Sequence, residues 1–196
     1  MTPAARRVLE AAGRLFYAHG IHAVGVDLIA AEAGVTKKTL YDRFGSKEQV
    51  VVEYLAGRDE RWRAFLAERL EGAGGEGSEG SAEGDGGAAR VSAVFDASRD
   101  WAAEYGAKGC AMVNAHAEIS DPAHPAYPVI AAQKAWMLEL FTRLAGELGP
   151  GEADRVGRVL MLLHEGALVA HGLGVVPDPF GDAREQARAL VGVRRS

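Results

Sequence analysis

Val26-Asp27-Leu28-Ile29-Ala30-Ala31-Glu32-Ala33-Gly34-Val35-Thr36-Lys37-Lys38-Thr39-Leu40-Tyr41-Asp42-Arg43-Phe44 is the stretch from which the rest of the chain can be read. Two short helical segments, 26–33 and 37–44, are separated by Gly34 and Val35, with Thr36 opening the second, and so tight a link permits only a sharp turn. Helices that cross need a small residue where they touch, and Ala30 supplies it. The turn needs a residue that tolerates positive φ, which Gly34 does. Ile29, Val35, Leu40 and Phe44 provide a shared core, with Leu40 and Phe44 four apart on one face. Thr36 suits the N-cap of the second segment. Lys37, Lys38, Thr39 and Tyr41 then project from its first turns, where a recognition helix meets base edges and phosphates. The pattern is that of a helix-turn-helix. The competing reading, two ordinary amphipathic helices with a solvated basic face, needs the small residue, turn, cap and tyrosine to coincide without purpose.

Outward from this stretch the chain reads as helical throughout. Val8, Ala12, Leu15 and His19, with Leu9 and Phe16 beside them, predict a helix over 3–19, capped by Thr2 and stopped by Gly20. Ser46-Lys47-Glu48-Gln49 is a capping-box sequence opening a long helix from Lys47 to about Leu70. Residues 71–88 carry five acidic groups, no base and nothing large enough to bury, which predicts a flexible acidic Gly-rich loop. Apolar residues at helical spacing return over 91–105 and 130–148, with a shorter segment near 110–119 between them. Asp121-Pro122, Pro125 and Pro128 read as breaks. A long helix from Glu152 to about His171 and a last one from Asp182 to about Val191 complete the pattern, and alternating strand patterns are essentially absent. The fold expected is all-α. Its N-terminal three-helix DNA-binding domain, 1–48, is joined by a long helix to a larger helical domain, 49–196.

Composition limits what such a chain can do. Its 196 residues are 48% apolar, enough for one substantial core or for a small and a larger domain. The single cysteine, Cys110, excludes an internal disulfide, and no other thiol is present for a Cys-based metal site. A reducing cytoplasm is the expected compartment. The most apolar window, 159–176, is interrupted by His164, Glu165 and His171, so it predicts a buried helix and no membrane span. A net charge of −5 would by itself argue against nucleic acid. Residues 1–50, however, hold seven Lys or Arg against five Asp or Glu, so the remainder carries −7 and the acidity lies away from the DNA-reading segment.

Ile29-Ala30, Ala33-Gly34-Val35, Thr39-Leu40-Tyr41, Phe44 and Ser46-Lys47-Glu48, spaced as they are after a helix ending His19-Gly20, resemble the TetR/AcrR family of transcriptional regulators over about a quarter of the chain. Gly109-Cys110, Val113-Asn114-Ala115, Glu118, Asp121-Pro122 and His124-Pro125 resemble the ligand-domain sequence of one branch of that family. The resemblance implies a homodimer bound to double-stranded operator DNA and released by a small-molecule effector, which makes the protein a repressor. It implies that Thr36, Lys37, Lys38 and Thr39 face the major groove, that Tyr41 touches phosphate or a thymine methyl, and that Lys47 holds a backbone phosphate. In two places the sequence departs from the family pattern: Gly25 stands where Ser or Thr commonly caps the second helix, and Asp27 sits near its DNA side.

The larger domain then resembles one for dimerisation and effector binding, with the last two helices forming a four-helix bundle with their copies. Gly166, Ala167, Ala170 and Gly172 would permit close helix approach there, or pack only within the chain. Trp101, Met112, Trp136 and Phe141, with the polar groups Asn114, His116 and His164, are the mixture a largely apolar effector pocket uses, although packing alone also explains aromatics at helical spacing. Catalytic motifs are all incomplete. His164-Glu165 would need a second histidine where Leu168 stands, and His116-x-Glu118 lacks a following Pro-Cys-x-x-Cys. The expectation is no enzyme, no cofactor and no metal.

Overall fold

The computed structural model describes residues 1–74, 85–106, 108–147 and 151–192, and these contain nine helices and no strand. They form two compact units: Met1–Glu60 with Ala111–Gln133, and Arg61–Cys110 with Lys134–Ser196. The three-helix segment 1–48 lies within the first, which also takes in 49–60 and 111–133.

In the first unit, α1 (Pro3–His19) starts as the sequence dictates. Thr2 accepts the Ala5 N–H at 3.3 Å, and proline occupies the first turn, where its missing N–H costs nothing. Its buried face is Ala5, Val8, Ala11, Ala12 and Phe16, while His19 is exposed. α2 (Val26–Glu32) and α3 (Lys37–Phe44) follow, and then α4 (Lys47–Gly74). Phe16 packs on Tyr54 of α4 with ring centroids 5.7 Å apart. Only half of the expected capping box forms at α4. Ser46 Oγ accepts the Gln49 N–H at 3.1 Å, but the Gln49 side chain turns forward to donate to Glu53. α6 (Ala111–Glu118) and the start of α7 (Tyr127–Gly146) complete this unit. Pro128, expected as a break, sits in the first turn of α7, where a helix tolerates proline.

The second unit holds the larger core. Trp62, Leu66 and Leu70 from α4 meet Val94, Phe95 and Trp101 of α5 (Asp85–Tyr105), Met137, Phe141 and Leu144 of α7, Leu160 of α8 (Ala153–Leu173), and Phe180 and Ala187 of α9 (Pro179–Gly192). α9 packs against both α5 and α8, and its buried Ala183 and Ala187 let it approach closely. Arg184 anchors it to α5 through Asp96 at 2.9 Å. It begins three residues before the expected Asp182, because Pro179 is pre-set for a first helical position.

The expected loop over 71–88 is shorter than that at both ends: 71–74 close α4 and 85–88 open α5. Extending an existing helix gains one hydrogen bond for each residue fixed, which carries it into glycines that could never start one. Residues 75–84 lie outside the described residues.

Candidate nucleic-acid interface

The turn between α2 and α3 has the geometry the sequence requires. Gly34 adopts φ +63°, the Val35 N–H bonds Ala30 O at 3.0 Å, and Ile29 and Leu40 are fully buried between the helices. Val35 is only partly buried. Thr36 Oγ1 accepts the Thr39 N–H at 3.0 Å, capping α3, and lies 2.8 Å from the Thr39 hydroxyl. Gly25 caps α2 without a side-chain bond. Arg7 Nε donates to Ala33 O at 3.1 Å, which satisfies a carbonyl at the end of α2 and fastens it to α1.

Thr36, Lys37, Lys38, Thr39 and Tyr41 are all exposed on this head, and Lys47 is half-buried at the start of α4. Their surroundings contain an element the sequence did not reveal. Lys37 Nζ lies 3.0 Å from both oxygens of Asp27, Lys38 Nζ lies 2.7 Å from Asp42, and Arg43 makes a two-pronged pair with Glu53 at 3.1 and 3.2 Å. The hydrogen bond and charge of Asp27 raise the Lys37 pKa, so the ammonium is secure but already partnered. A phosphate or base acceptor taking either lysine would therefore have to displace a carboxylate. Exposed pairs of this kind exchange readily. Replacing Asp27 with asparagine is expected to strengthen binding to a scrambled duplex and to steepen its log affinity against log salt slope by up to about 0.9. Fluorescence anisotropy across a salt series checks this, and an unchanged slope would show that Lys37 does not meet phosphate.

The seven residues singled out for an effector are divided between the two units. Met112, Asn114 and His116 lie on α6 in the first; His116 meets the Tyr127 ring edge-on at 5.6 Å. Trp101, Trp136, Phe141 and His164 lie in the second. There Trp101 joins Trp62, Phe65 and Tyr105 in an aromatic cluster, Trp136 lies beneath the Arg63 guanidinium at 4.2 Å, and Phe141 faces His164 at 5.6 Å.

Sequence reasoning missed the groups around His164. Its Nε2 is 2.8 Å from the Ser98 hydroxyl, and its Nδ1 is 3.6 Å from Glu165, which Lys134 holds at 2.8 Å; Lys134 also donates to Cys110 Sγ at 3.2 Å. No spacing rule joins positions so far apart in the chain. Ser98, His164 and Glu165 follow the order of a hydrolytic triad, but Ser98 is buried and 3.6 Å exceeds a hydrogen bond, so the row reads as core. Burial works to raise the Glu165 pKa, yet His164 and the closer Lys134 outweigh it and hold the carboxylate at about 2. Burial also opposes the charge on Lys134, but Cys110 and Glu165 outweigh it and raise its pKa.

Burial lowers the pKa of His164, more than Glu165 can offset. An unfolded histidine titrates near about 6.5. Below that pH the unfolded chain binds a proton that the folded chain refuses, so stability falls as pH drops and levels off beneath the folded value. Melting between pH 7.5 and 5 is expected to show this decline in the natural protein and a flatter profile in His164→Gln. Equal slopes would mean that His164 takes up its proton equally in the folded and unfolded chains.

An N-terminal helix-turn-helix, with a capped and exposed recognition helix, on an all-helical chain defines a DNA-binding transcription regulator. Residues 8–54 match the family model described as bacterial regulatory proteins, tetR family. A TetR-family transcriptional regulator from Streptomyces coelicolor is 36% identical, covering 97% of this chain and 93% of that one, with a TM-score of 0.78. The chain belongs to the TetR family, whose members are transcriptional regulators and not enzymes. A TetR-type regulator from Streptomyces avermitilis is 28% identical over 95% of this chain and 98% of that one, with a TM-score of 0.71. One from Chloroflexus aurantiacus, at 22% identity and a TM-score of 0.77, covers 96% of this chain and 94% of its own and shares the fold. No curated protein matches the sequence. Among the described residues, no helix is long and apolar enough to cross a membrane, and no group of His, Cys, Asp or Glu is arranged to hold a metal ion.

Proposed function

We propose that the protein is a cytoplasmic homodimeric repressor that binds an inverted-repeat operator and is released by a small, largely apolar effector. The observation that carries the reading is the polar face of α3: Thr36, Lys37, Lys38, Thr39 and Tyr41 are exposed together on a helix held rigidly by buried Ile29, Leu40 and Phe44. In this reading 1–48 meets DNA, with Lys47 on a phosphate, and 49–196 supplies the dimer and the effector site. Within the second unit that site draws on Trp101, Trp136, Phe141 and His164.

Dimerisation is supported by α8. Leu162, Val169 and Leu173 are exposed although strongly apolar, and with Gly166 they recur at 162, 166, 169 and 173, which places them on one helical face. A Cβ at Gly166 would meet nothing within 4 Å, leaving room for a second helix. Gly172, by contrast, packs inside the chain against the backbone of Lys108 and Gly109.

The test is binding to a duplex enriched from a random-sequence library, followed by anisotropy across salt. Two protomers per duplex and a preference of about a thousandfold over scrambled DNA are expected. Lys47→Ala should make the salt slope shallower by about 0.9. Enrichment of no duplex would overturn the DNA-binding reading, and enrichment of a site lacking two-fold symmetry would overturn the dimer. Release of the enriched duplex by apolar compounds tests the effector.

A further inference from the structure

We propose that Glu118, at the C-terminal end of α6, is a positioning residue for DNA recognition, gripping the loop between α1 and α2 and so setting how the reading heads are presented. The inference rests on the dimeric operator-binding reading above, and assigns to it a residue outside the helix-turn-helix.

Three observations converge on this carboxylate. Its Oε2 accepts the backbone N–H of His22 at 2.8 Å, across 96 positions of sequence. The loop is seated so closely on it that a Cβ at Gly20 would stand 2.8 Å from Oε2 and 3.1 Å from Oε1, at a φ of +91° that already favours glycine. Glu118 also lines a cleft of about 310 Å³ with Ile21 and His22 of the loop and Lys47 and Val51 of α4. The grip therefore sits beside the Lys47 phosphate position and between the first two helices of the head.

The other end of α6 is tied down as well. Cys110, immediately before Ala111, receives the Lys134 ammonium at 3.2 Å, and Lys134 is paired with Glu165 of α8. A Cβ at Gly172 would stand 3.1 Å from Gly109 N, so the chain entering α6 lies close against α8.

A merely stabilising contact and a positioning one differ in operator spacing. One base pair inserted between half-sites moves the second by about 3.4 Å and rotates it by about a tenth of a turn. The enriched duplex and versions with one central base pair added or removed are titrated with the natural protein, Glu118→Ala and Glu118→Gln, with melting of each variant followed in parallel. The natural protein should prefer its own spacing by about tenfold or more, and Glu118→Ala should reduce that preference to within about threefold. Glu118→Gln, which keeps an acceptor for the His22 N–H, should restore most of it. Gly20→Ala, pressing on the carboxylate, should loosen spacing as Glu118→Ala does, and serves if the latter does not fold. Unchanged spacing preference in a folded Glu118→Ala or Gly20→Ala protein would overturn the inference while leaving the operator reading intact. Failure of the natural protein to enrich any duplex would remove both.

Discussion

Aspartate at both Leu162 and Leu173 is expected to leave a folded monomer that no longer holds its operator. Both side chains are largely outside the protomer's core, 71% and 69% exposed, so the chain does not need them to fold. In the proposed dimer the same side chains face a second α8, and two carboxylates per protomer would meet their copies across an apolar seam. Burying unpaired charge there costs far more than the seam gains from two leucines. A dimer engages its second half-site at an effective concentration in the millimolar range, and losing that advantage lowers operator affinity by about 10²–10⁴-fold. Sedimentation should give a mass near 20.7 kDa in place of twice that value, with helical circular dichroism unchanged. Retention of the double mass would place the dimer interface elsewhere.

Two glycines on the same helix are expected to respond in opposite directions when replaced by alanine. Gly157 is buried where α8 crosses α7, and a Cβ there would stand 2.7 Å from Thr142 Cα and 2.8 Å from its backbone N. Backbone cannot swing aside as a flexible side chain does. The helix-propensity gain of about 1 kcal/mol that alanine normally brings is overridden by overpacking of about 1–3 kcal/mol. Gly157→Ala should melt several degrees lower, and Gly157→Val lower still. Gly166 faces open space, so Gly166→Ala should stabilise an isolated protomer by about 0.8–1 kcal/mol, raising its melting point by about 2–4 °C. If α8 meets its copy closely at this point, the same methyl should weaken the dimer. Melting of the Leu162→Asp, Leu173→Asp monomer with and without each change separates the two effects. A more stable Gly157→Ala protein would mean that α7 and α8 are less closely apposed.

The DNA-reading head was legible because its determinants are local. The Thr2 and Thr36 caps, the positive φ of Gly34 and the burial of Ile29, Leu40 and Phe44 follow from residues within a few positions of one another, where backbone geometry fixes who meets whom. The lysines of α3 were legible as exposed cations for the same reason. Their partners were only partly so. Asp42 lies one turn from Lys38 and could have been read from helical spacing, whereas Asp27 reaches Lys37 only because the turn at Gly34 brings α2 beside α3.

Element ends were less legible. The glycines at 72 and 74 have poor helix propensity, but propagation from a long preceding helix decided their state. Pro128 and Pro179 have no N–H to lose in a first turn, so Pro128, read as a break, lies in the first turn of α7, and α9 starts at Pro179, ahead of the expected Asp182.

By itself the sequence determined the all-helical class, the helix-turn-helix and the exposed polar face of α3, since periodicity, caps and turns are written in neighbouring residues. Only the tertiary structure decided that Asp27 holds Lys37, that buried His164 meets Ser98 while Lys134 holds Glu165, that Glu118 grips the loop at His22, and that Gly157 is fixed by Thr142 while Gly166 is left open. Each of these depends on which helix faces lie against one another. That outcome follows from packing the whole core, and no single segment of the chain contains it.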